Sequence, residues 1–130
     1  MRLDAVAEEL IDGPNLATLS TLNPDGQPQV SVVWVARDGN SLVMSTIEGR
    51  AKHRNLVADP RATVVVLDSN DSLRYVELRG ATTLTHEGGS ELIDALSSKY
   101  TGADRWDGDD GTANVRVVIR LEPTRVRVYA

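Results

Sequence analysis

Apolar and polar residues alternate along most of the chain, which is the pattern of half-buried strands. The first eleven residues differ: their apolar side chains recur at helical spacing and predict a short amphipathic helix that Gly13-Pro14 ends. The predicted strands are 15–22, 28–36, 41–46, 62–68, 73–85, 115–121 and the segment after Pro123. The predicted second helix covers 49–58, and a third is capped by Ser90 and closed by Gly102.

Short turns join most of these strands. Residues 23–26 (Asn-Pro-Asp-Gly) and 37–40 (Arg-Asp-Gly-Asn) are tight-turn sequences and predict antiparallel hairpins. Gly80, in the middle of a long strand, predicts a bulge or a close backbone approach. About seven strands and three short helices predict a mainly β, α+β fold. Its expected form is an antiparallel barrel with helices packed at its openings, in a single domain spanning 1–130.

Composition narrows the function classes. The chain has no cysteine, which excludes disulfides, thiolate nucleophiles and metal sites built on sulfur, and only two histidines, which weakens other transition-metal sites. The net charge of −5 argues against nucleic acid and against membrane surfaces as partners. The start of the chain lacks signal-peptide features, and no apolar run is long enough to span a bilayer. We therefore expect a cytoplasmic protein.

The segment 45–56 (Ser-Thr-Ile-Glu-Gly-Arg-Ala-Lys-His-Arg-Asn-Leu) carries the most informative chemistry. Two hydroxyl residues end a strand, and a glycine and several cations then open a helix. A phosphate group can bind to the N–H groups at a helix N-terminus and to hydroxyls. Arg50 could donate two hydrogen bonds to it, and Lys52 would add a point charge. The first turn of a helix normally favours acidic residues because of the helix dipole, so the cations in this segment are unusual. The alternative is a solvated basic face paired with nearby acids.

This segment resembles the split β-barrel flavin and deazaflavin oxidoreductases related to pyridoxamine 5′-phosphate oxidase. The resemblance rests on Ser-Thr at a strand end, followed by Gly-Arg-Ala-Lys-x-Arg-Asn-Leu and Asp-Pro-Arg. Residues 16–19, 25–31, the Val-rich segment through Trp34 and residues 74–80 agree in order and spacing. More narrowly, the chain is similar to the actinobacterial branch that uses the deazaflavin coenzyme F420.

The resemblance implies a homodimer with two cofactor sites at the subunit interface and a small-molecule substrate. It implies that Ser45, Thr46, Arg50 and Lys52 hold the cofactor phosphate. The residues implied to line the ring on the second strand are Gln27, Pro28, Gln29 and Val30. The partner subunit would close the pocket, with Tyr75 and Trp106 as contributors. Asn55 is a further cofactor candidate, or only a cap of local backbone.

The implied activity is hydride transfer from reduced coenzyme F420 to a small organic acceptor, with the redox chemistry supplied by the cofactor. No catalytic acid or base is assigned, since no Ser/His/Asp set or carboxylate pair is present. Two alternatives stay open, an FMN-binding oxidoreductase of the same fold and a non-catalytic cofactor carrier. Arg54 or Arg61 could bind the polyglutamyl tail that only F420 has, which favours the deazaflavin.

Other signals point to structure rather than to chemistry. The acidic loop 104–111 lacks the spacing of a calcium loop and is expected to be exposed and mobile. His53 is expected on the surface or behind the site, and Trp34 in the core or at the dimer interface. The arginines expected on exposed strand faces, with solubility or salt-bridge roles only, are Arg116, Arg120, Arg125 and Arg127.

Overall fold

The computed structural model describes every residue from Met1 to Ala130. The three helices are α1 (Ala5–Asp12), α2 (Ala51–Ala58) and α3 (Gly89–Thr101). The seven strands are β1 (Ala17–Leu22), β2 (Pro28–Val33), β3 (Val35–Asp38), β4 (Ser41–Ile47), β5 (Arg61–Asp68), β6 (Asp71–Thr85) and β7 (Arg116–Tyr129). The predicted mainly β, α+β fold is confirmed. None of the helices is both long enough and apolar enough to cross a membrane.

All seven strands form one antiparallel sheet in the order β2-β1-β5-β6-β7-β4-β3. Its two edge strands, β2 and β3, are consecutive in the chain and are separated only by Trp34. The polypeptide therefore leaves one edge of the sheet and joins the other edge within a single residue. This connection curls the sheet into a split barrel.

The barrel interior follows from the two-residue period of the strands. In β1, for example, Ala17, Leu19 and Thr21 are buried, whereas the residues between them are only half-buried. Inward side chains of the other strands complete one core, which Leu10 and Ile11 of α1 help to cover. The core is built almost entirely from Val, Leu, Ile, Ala and Met, as expected for a chain without phenylalanine.

Two strand boundaries differ from the prediction. The predicted strand 28–36 is interrupted at Trp34, where the chain changes sheet edges. The two predicted C-terminal strands are one strand, β7, because Pro123 is accommodated beside a bulge opposite Gly80. A Cβ atom on Gly80 would lie 2.1 Å from the carbonyl oxygen of Glu122, so only glycine permits this approach. The prediction for Gly80 is confirmed, and the strand count of seven is unchanged.

The helix ends are set by local caps. Asp4 accepts a hydrogen bond from the Ala7 N–H and begins α1. Gly102, with φ +81°, ends α3 as predicted. The prediction that Ser90 caps α3 is wrong, because the helix begins at Gly89 and the cap position is Gly88, two residues before Ser90, with φ +80°. Gly89 lies against β7, where a Cβ atom would come within 2.9 Å of the Arg116 carbonyl oxygen.

Candidate functional site

A cavity of about 400 Å³ lies on the outside of the barrel, beside the interruption between β2 and β3. Its walls come from β2, β4, the start of α2, α3, the loop after α3 and the start of β7. The polar residues that line it are Ser45, Arg50, Lys52 and Arg116, and the apolar ones include Val32, Trp34, Ile93, Leu96 and Trp106. An apolar cavity with a few converging polar groups is the usual form of a small-molecule site.

The turn between β4 and α2 positions the first group of cations. Gly49 has φ +92°, which allows the sharp turn after the strand. His53 closes the turn, because its Nδ1 accepts a hydrogen bond from the Gly49 N–H at 3.0 Å. The Arg54 guanidinium donates to the Gly49 carbonyl oxygen. Arg50 is the N-cap residue of α2, and no side chain caps the helix. The first-turn N–H groups are therefore left without a side-chain acceptor.

Arg50 and Lys52 have no acidic partner. Ten ion pairs occur in the protein, and neither residue takes part in one. Burial lowers the pKa of Lys52, and the positive charge of Arg50 lowers it further. The first turn of α2 contains no acidic residue. In a chain of net charge −5, this end of the cavity has an uncompensated positive charge that suits an anion.

Arg116 enters the same cavity but is paired. Its Nε lies 2.7 Å from Asp109 Oδ2 and its Nη2 lies 3.1 Å from Asp109 Oδ1, a bidentate contact. The pairing lowers the pKa of Asp109 to about 2, chiefly through the hydrogen bonds from Arg116. The remaining nitrogen, Nη1, donates to Ser45 Oγ at 3.4 Å. Arg116 is thus neutralised, with one donor nitrogen beside a cavity-lining hydroxyl.

Three of the five aromatic residues form the wall next to this arginine. Trp34 stacks on Tyr100 with ring centroids 5.4 Å apart and meets Trp106 at 5.7 Å in a perpendicular arrangement. A Cβ atom on Gly108 would lie 2.3 Å from Cζ2 of Trp106, so the loop closes under the indole only with glycine there. The Arg116 guanidinium lies over the Trp106 ring at 5.8 Å. The two indoles form a corner that faces the cavity.

The C-terminal end of α3 fixes the strand interruption behind Trp34. The Tyr100 hydroxyl accepts from the Val35 N–H at 3.2 Å and donates to the Asn15 carbonyl at 2.8 Å. Lys99 Nζ donates to the carbonyl oxygens of Ile11 and Val35, each at 2.6 Å. Burial lowers the pKa of Lys99 to about 8. These contacts tie α1, α3 and β3 together at the point where the sheet changes edges.

Only some of the predicted phosphate residues line the cavity. Ser45, Arg50 and Lys52 do, as the sequence predicted. Thr46 faces the opposite way: it is 1% exposed, and its hydroxyl has no hydrogen-bond partner inside the barrel. Strand alternation explains this, since adjacent residues cannot both face the same side. A contact between the Thr46 side chain and a phosphate in this cavity is therefore contradicted.

Asn55 is buried between α2 and the β1–β2 turn. Its side-chain amide donates to Thr21 Oγ1 at 3.1 Å and to Asn23 Oδ1 at 2.9 Å. The direct cofactor role of Asn55 is not supported by this arrangement, and neither is a cap of local backbone. Asn55 instead links α2 to the first hairpin. It thereby fixes the position of the turn between β4 and α2 that carries Arg50 and Lys52, which we call the cationic turn.

The predicted ring-lining residues lie outside the cavity. Gln27, Pro28 and Val30 are exposed at the start of β2, and Gln29 is half-buried. Tyr75 is on β6, stacked on Tyr129 with centroids 4.4 Å apart. Within one chain, none of these five residues lines the cavity that contains Arg50 and Lys52. Their predicted role remains a prediction that needs a ligand extending beyond the cavity or a second copy of the chain.

Arg116 lines the cavity, although sequence reasoning did not select it as a site residue. It was expected on an exposed face, but its side chain is only 13% exposed. Trp34 and Trp106 both line the cavity of the single chain, and their expected contributions to a dimer stay predictions. The loop expected to be mobile is held by the contacts of Asp109 and by a hydrogen bond from the backbone N–H of Trp106 to Asp94 Oδ1. An arginine directly after an Asp-rich loop was the available signal.

Neither arginine considered for an anionic tail is free. Arg54 is used in the turn that it stabilises. Arg61 binds Asp59, with Nη2 2.7 Å from Oδ2. These two arginines therefore do not distinguish F420 from FMN.

Comparisons with known proteins show what this chain is similar to. The family described as pyridoxamine 5′-phosphate oxidase matches residues 3–130. A pyridoxine/pyridoxamine 5′-phosphate oxidase from Rhodopseudomonas palustris (strain BisB18) is 30% identical over 94 residues. That match covers 72% of this chain but only 44% of the relative. This chain therefore aligns with less than half of that enzyme.

Solved structures extend the comparison to the whole fold. A structure described as an F420 reductase has a TM-score of 0.84 and 29% identity, covering 96% of this chain and 98% of its own. A conserved hypothetical protein from Mycobacterium tuberculosis has a TM-score of 0.78 and 24% identity, with coverage of 99% and 85%. The second match supports the fold alone.

Proposed function

Because the chain belongs to the pyridoxamine 5′-phosphate oxidase family, we propose that it is a flavin- or deazaflavin-type oxidoreductase, and that its coenzyme is F420. When bound, the reduced deazaflavin supplies a hydride for a small organic acceptor. The similarity to an F420 reductase over nearly the full length of both chains favours this coenzyme. The alternatives are FMN as coenzyme and a protein that carries the cofactor without turnover.

The observation that carries the proposal is the unpaired charge of Arg50 and Lys52. A phosphate group is an anion near neutral pH, both as the monoester of FMN and as the diester that joins the tail in F420, and two cations without acidic partners suit it. Arg50 would bind two phosphate oxygens, and Lys52 would add a point charge at the start of α2. The cavity of about 400 Å³ is near the lower end of the range for small-molecule sites. We propose that it holds the phosphate and part of the coenzyme, and that the remainder extends along the outside of the barrel.

Along this outer surface lies the apolar face of β2, which we propose to be covered by a second copy of the chain. Val30 is 59% exposed and Val32 is 67% exposed, although both belong to a regular strand. Val32 also lines the cavity, so a partner on this face would border the bound coenzyme. In this arrangement the ring would lie along Gln27–Val30 of one chain, and the partner's Tyr75 would close the pocket over it.

Titration with F420 and with FMN, followed by ligand fluorescence, tests the coenzyme proposal. Arg50→Ala and Lys52→Ala should each weaken binding by ~1–3 kcal/mol, the usual loss for a charged hydrogen bond. Arg2→Ala, which removes an exposed cation without an ion-pair partner elsewhere, is the charge-matched control and should bind normally. FMN binding without F420 binding would establish the alternative coenzyme. Unchanged affinity in both cavity variants would exclude the phosphate site.

Turnover separates an enzyme from a carrier. Reduced F420 mixed with candidate acceptors should be oxidised faster with the protein than without it. The dimer is tested separately by sedimentation. The wild-type chain should sediment as a dimer, and Val30→Asp should shift it to a monomer with weaker coenzyme binding. A monomeric wild-type protein that binds the coenzyme tightly would contradict the interface proposal.

A further inference from the structure

The Arg116 guanidinium has one nitrogen, Nη1, that does not bond to Asp109. Asp109 takes Nε and Nη2, so the bidentate side of the guanidinium is occupied. Nη1 is at the cavity wall and makes only a long contact, 3.4 Å, to Ser45 Oγ. Asp109 is held in turn by Asn114 Nδ2 at 3.0 Å. The direction of Nη1 is therefore fixed before any ligand binds.

The charge around Arg116 differs from that around Arg50 and Lys52. The carboxylate of Asp109 cancels the charge of Arg116, whereas no carboxylate contacts the other two cations. An anionic group gains most at the uncompensated end of the cavity. The neutralised arginine offers a directional hydrogen bond with little net attraction for an anion. It suits an uncharged oxygen, such as a carbonyl.

The surface next to Nη1 is aromatic and rigid. Trp34 is supported by its stacking on Tyr100, and Trp106 by its tight contact with Gly108. The perpendicular indoles offer both a ring face and a ring edge to an aromatic ligand, the two geometries that aromatic pairs prefer. Ile93 and Leu96 make the neighbouring wall apolar.

We propose that Arg116 is a specificity-determining residue that orients the hydride acceptor. Its Nη1 donates to an uncharged oxygen of a planar ligand, and the ring of this ligand packs against Trp34 and Trp106. Asp109 is a positioning residue, because it acts through Arg116. This inference rests on the proposed function for the identity of the ligand as hydride acceptor, but its binding test needs no coenzyme.

Three small aromatic ligands of similar shape test whether the site recognises an uncharged oxygen. Acetophenone carries a neutral carbonyl, ethylbenzene carries none, and benzoate carries a charge. The chain has two tryptophans, so its two indole N–H signals in a ¹H–¹⁵N NMR spectrum report on this corner. Assignment needs only Trp34→Phe and Trp106→Phe. Acetophenone should shift both signals and bind about tenfold more tightly than ethylbenzene, as one net hydrogen bond provides.

The variants assign that preference to one residue. In Arg116→Gln the acetophenone-to-ethylbenzene ratio should fall to about one, and in the control Arg50→Ala it should persist. Benzoate should behave in the opposite way and lose affinity mainly in Arg50→Ala. If Arg116→Gln does not fold, Asp109→Asn/Arg116→Gln removes both charges of the pair together and serves in its place.

The proposal is overturned if wild-type protein binds acetophenone and ethylbenzene equally, if neither indole signal moves, or if the preference survives the loss of Arg116. Failure of the proposed function gives a different result. There, F420 and FMN fail to bind while the dependence of acetophenone on Arg116 remains. The probe titrations and the coenzyme titrations thus test the two statements separately.

Discussion

The two ends of the cavity contain the same kind of side chain in opposite electrostatic states. At one end Arg50 and Lys52 have no carboxylate partner, and at the other Arg116 is paired through two hydrogen bonds with Asp109. A cation paired within the fold contributes to the stability of the protein itself. Lys52 is half-buried without a partner and costs stability because it is desolvated without compensation, whereas Arg50 is exposed. We infer that the paired cation organises the site and the unpaired ones await a ligand.

The largest expected effect on stability is at the paired end. Arg116→Ala leaves the Asp109 carboxylate without its bidentate partner and removes the guanidinium from the Trp106 ring. We expect the free energy of unfolding to fall by roughly 2 kcal/mol, the range for hydrogen bonds to charged groups. Chemical denaturation measures this loss. Arg105→Ala is the matched control, since its pair with Asp110 is exposed to solvent and should contribute much less. Equal losses of unfolding free energy in the two variants would mean that the Arg116–Asp109 pair stabilises the fold no more than an exposed pair does.

Gly108→Ala tests the aromatic wall without any change of charge. The new Cβ atom would overlap the Trp106 indole, which must move or force the loop to shift. Overpacking of this kind costs roughly 1–2 kcal/mol. The Trp106 indole N–H signal should shift, and coenzyme binding at the cationic end should change little. A variant with wild-type stability and an unmoved Trp106 signal would contradict the close contact.

The pH dependence of stability reports on the ion pair. Arg116 lowers the folded-state pKa of Asp109 to about 2, below its ordinary value of 3.8. The unfolded state therefore binds more protons in this range, and stability falls as the pH drops from about 4 to about 2. We expect Asp109 to account for about 1 kcal/mol of that loss, as for a partly exposed pair. Acid titrations of wild type and Asp109→Asn should differ by this amount, and parallel curves would contradict the assignment.

The smallest effect should have the opposite sign. Lys52→Gln removes a half-buried charge that its own burial and Arg50 disfavour. We expect the variant to be as stable as wild type or more stable by less than about 1 kcal/mol at neutral pH. Thermal unfolding without ligand provides the measurement. A marked loss of stability would mean that Lys52 has a structural partner within the fold. The contrast between unpaired cations at one end of the cavity and a paired arginine at the other would then be wrong.

The sequence predicted the cationic turn because its signals are local. A strand end, a glycine and a run of cations lie within a dozen residues, and Asp59-Pro60 stops the helix they open. Strand alternation, applied to the pair 45–46, would also have predicted that only one of the two hydroxyls faces the cavity. The rule was available, but the resemblance assigned both residues to the phosphate.

The other end of the cavity depends on contacts that the sequence does not show. Arg116 meets Ser45 because β4 pairs with β7, although 71 residues separate them. Trp34 faces the cavity because the chain changes sheet edges there, and no local propensity marks that point. Trp106 reaches it through a loop whose acidic composition alone predicted exposure. These residues become neighbours only when the barrel closes.

A structure of the protein with F420 or FMN bound would show where the coenzyme phosphate lies. We predict phosphate oxygens about 2.7–3.2 Å from the Arg50 guanidinium and from Lys52 Nζ, at the first turn of α2. Arg116 should keep its contact with Asp109 in that complex. A phosphate bound elsewhere, with Arg50 and Lys52 in solvent, would contradict the account.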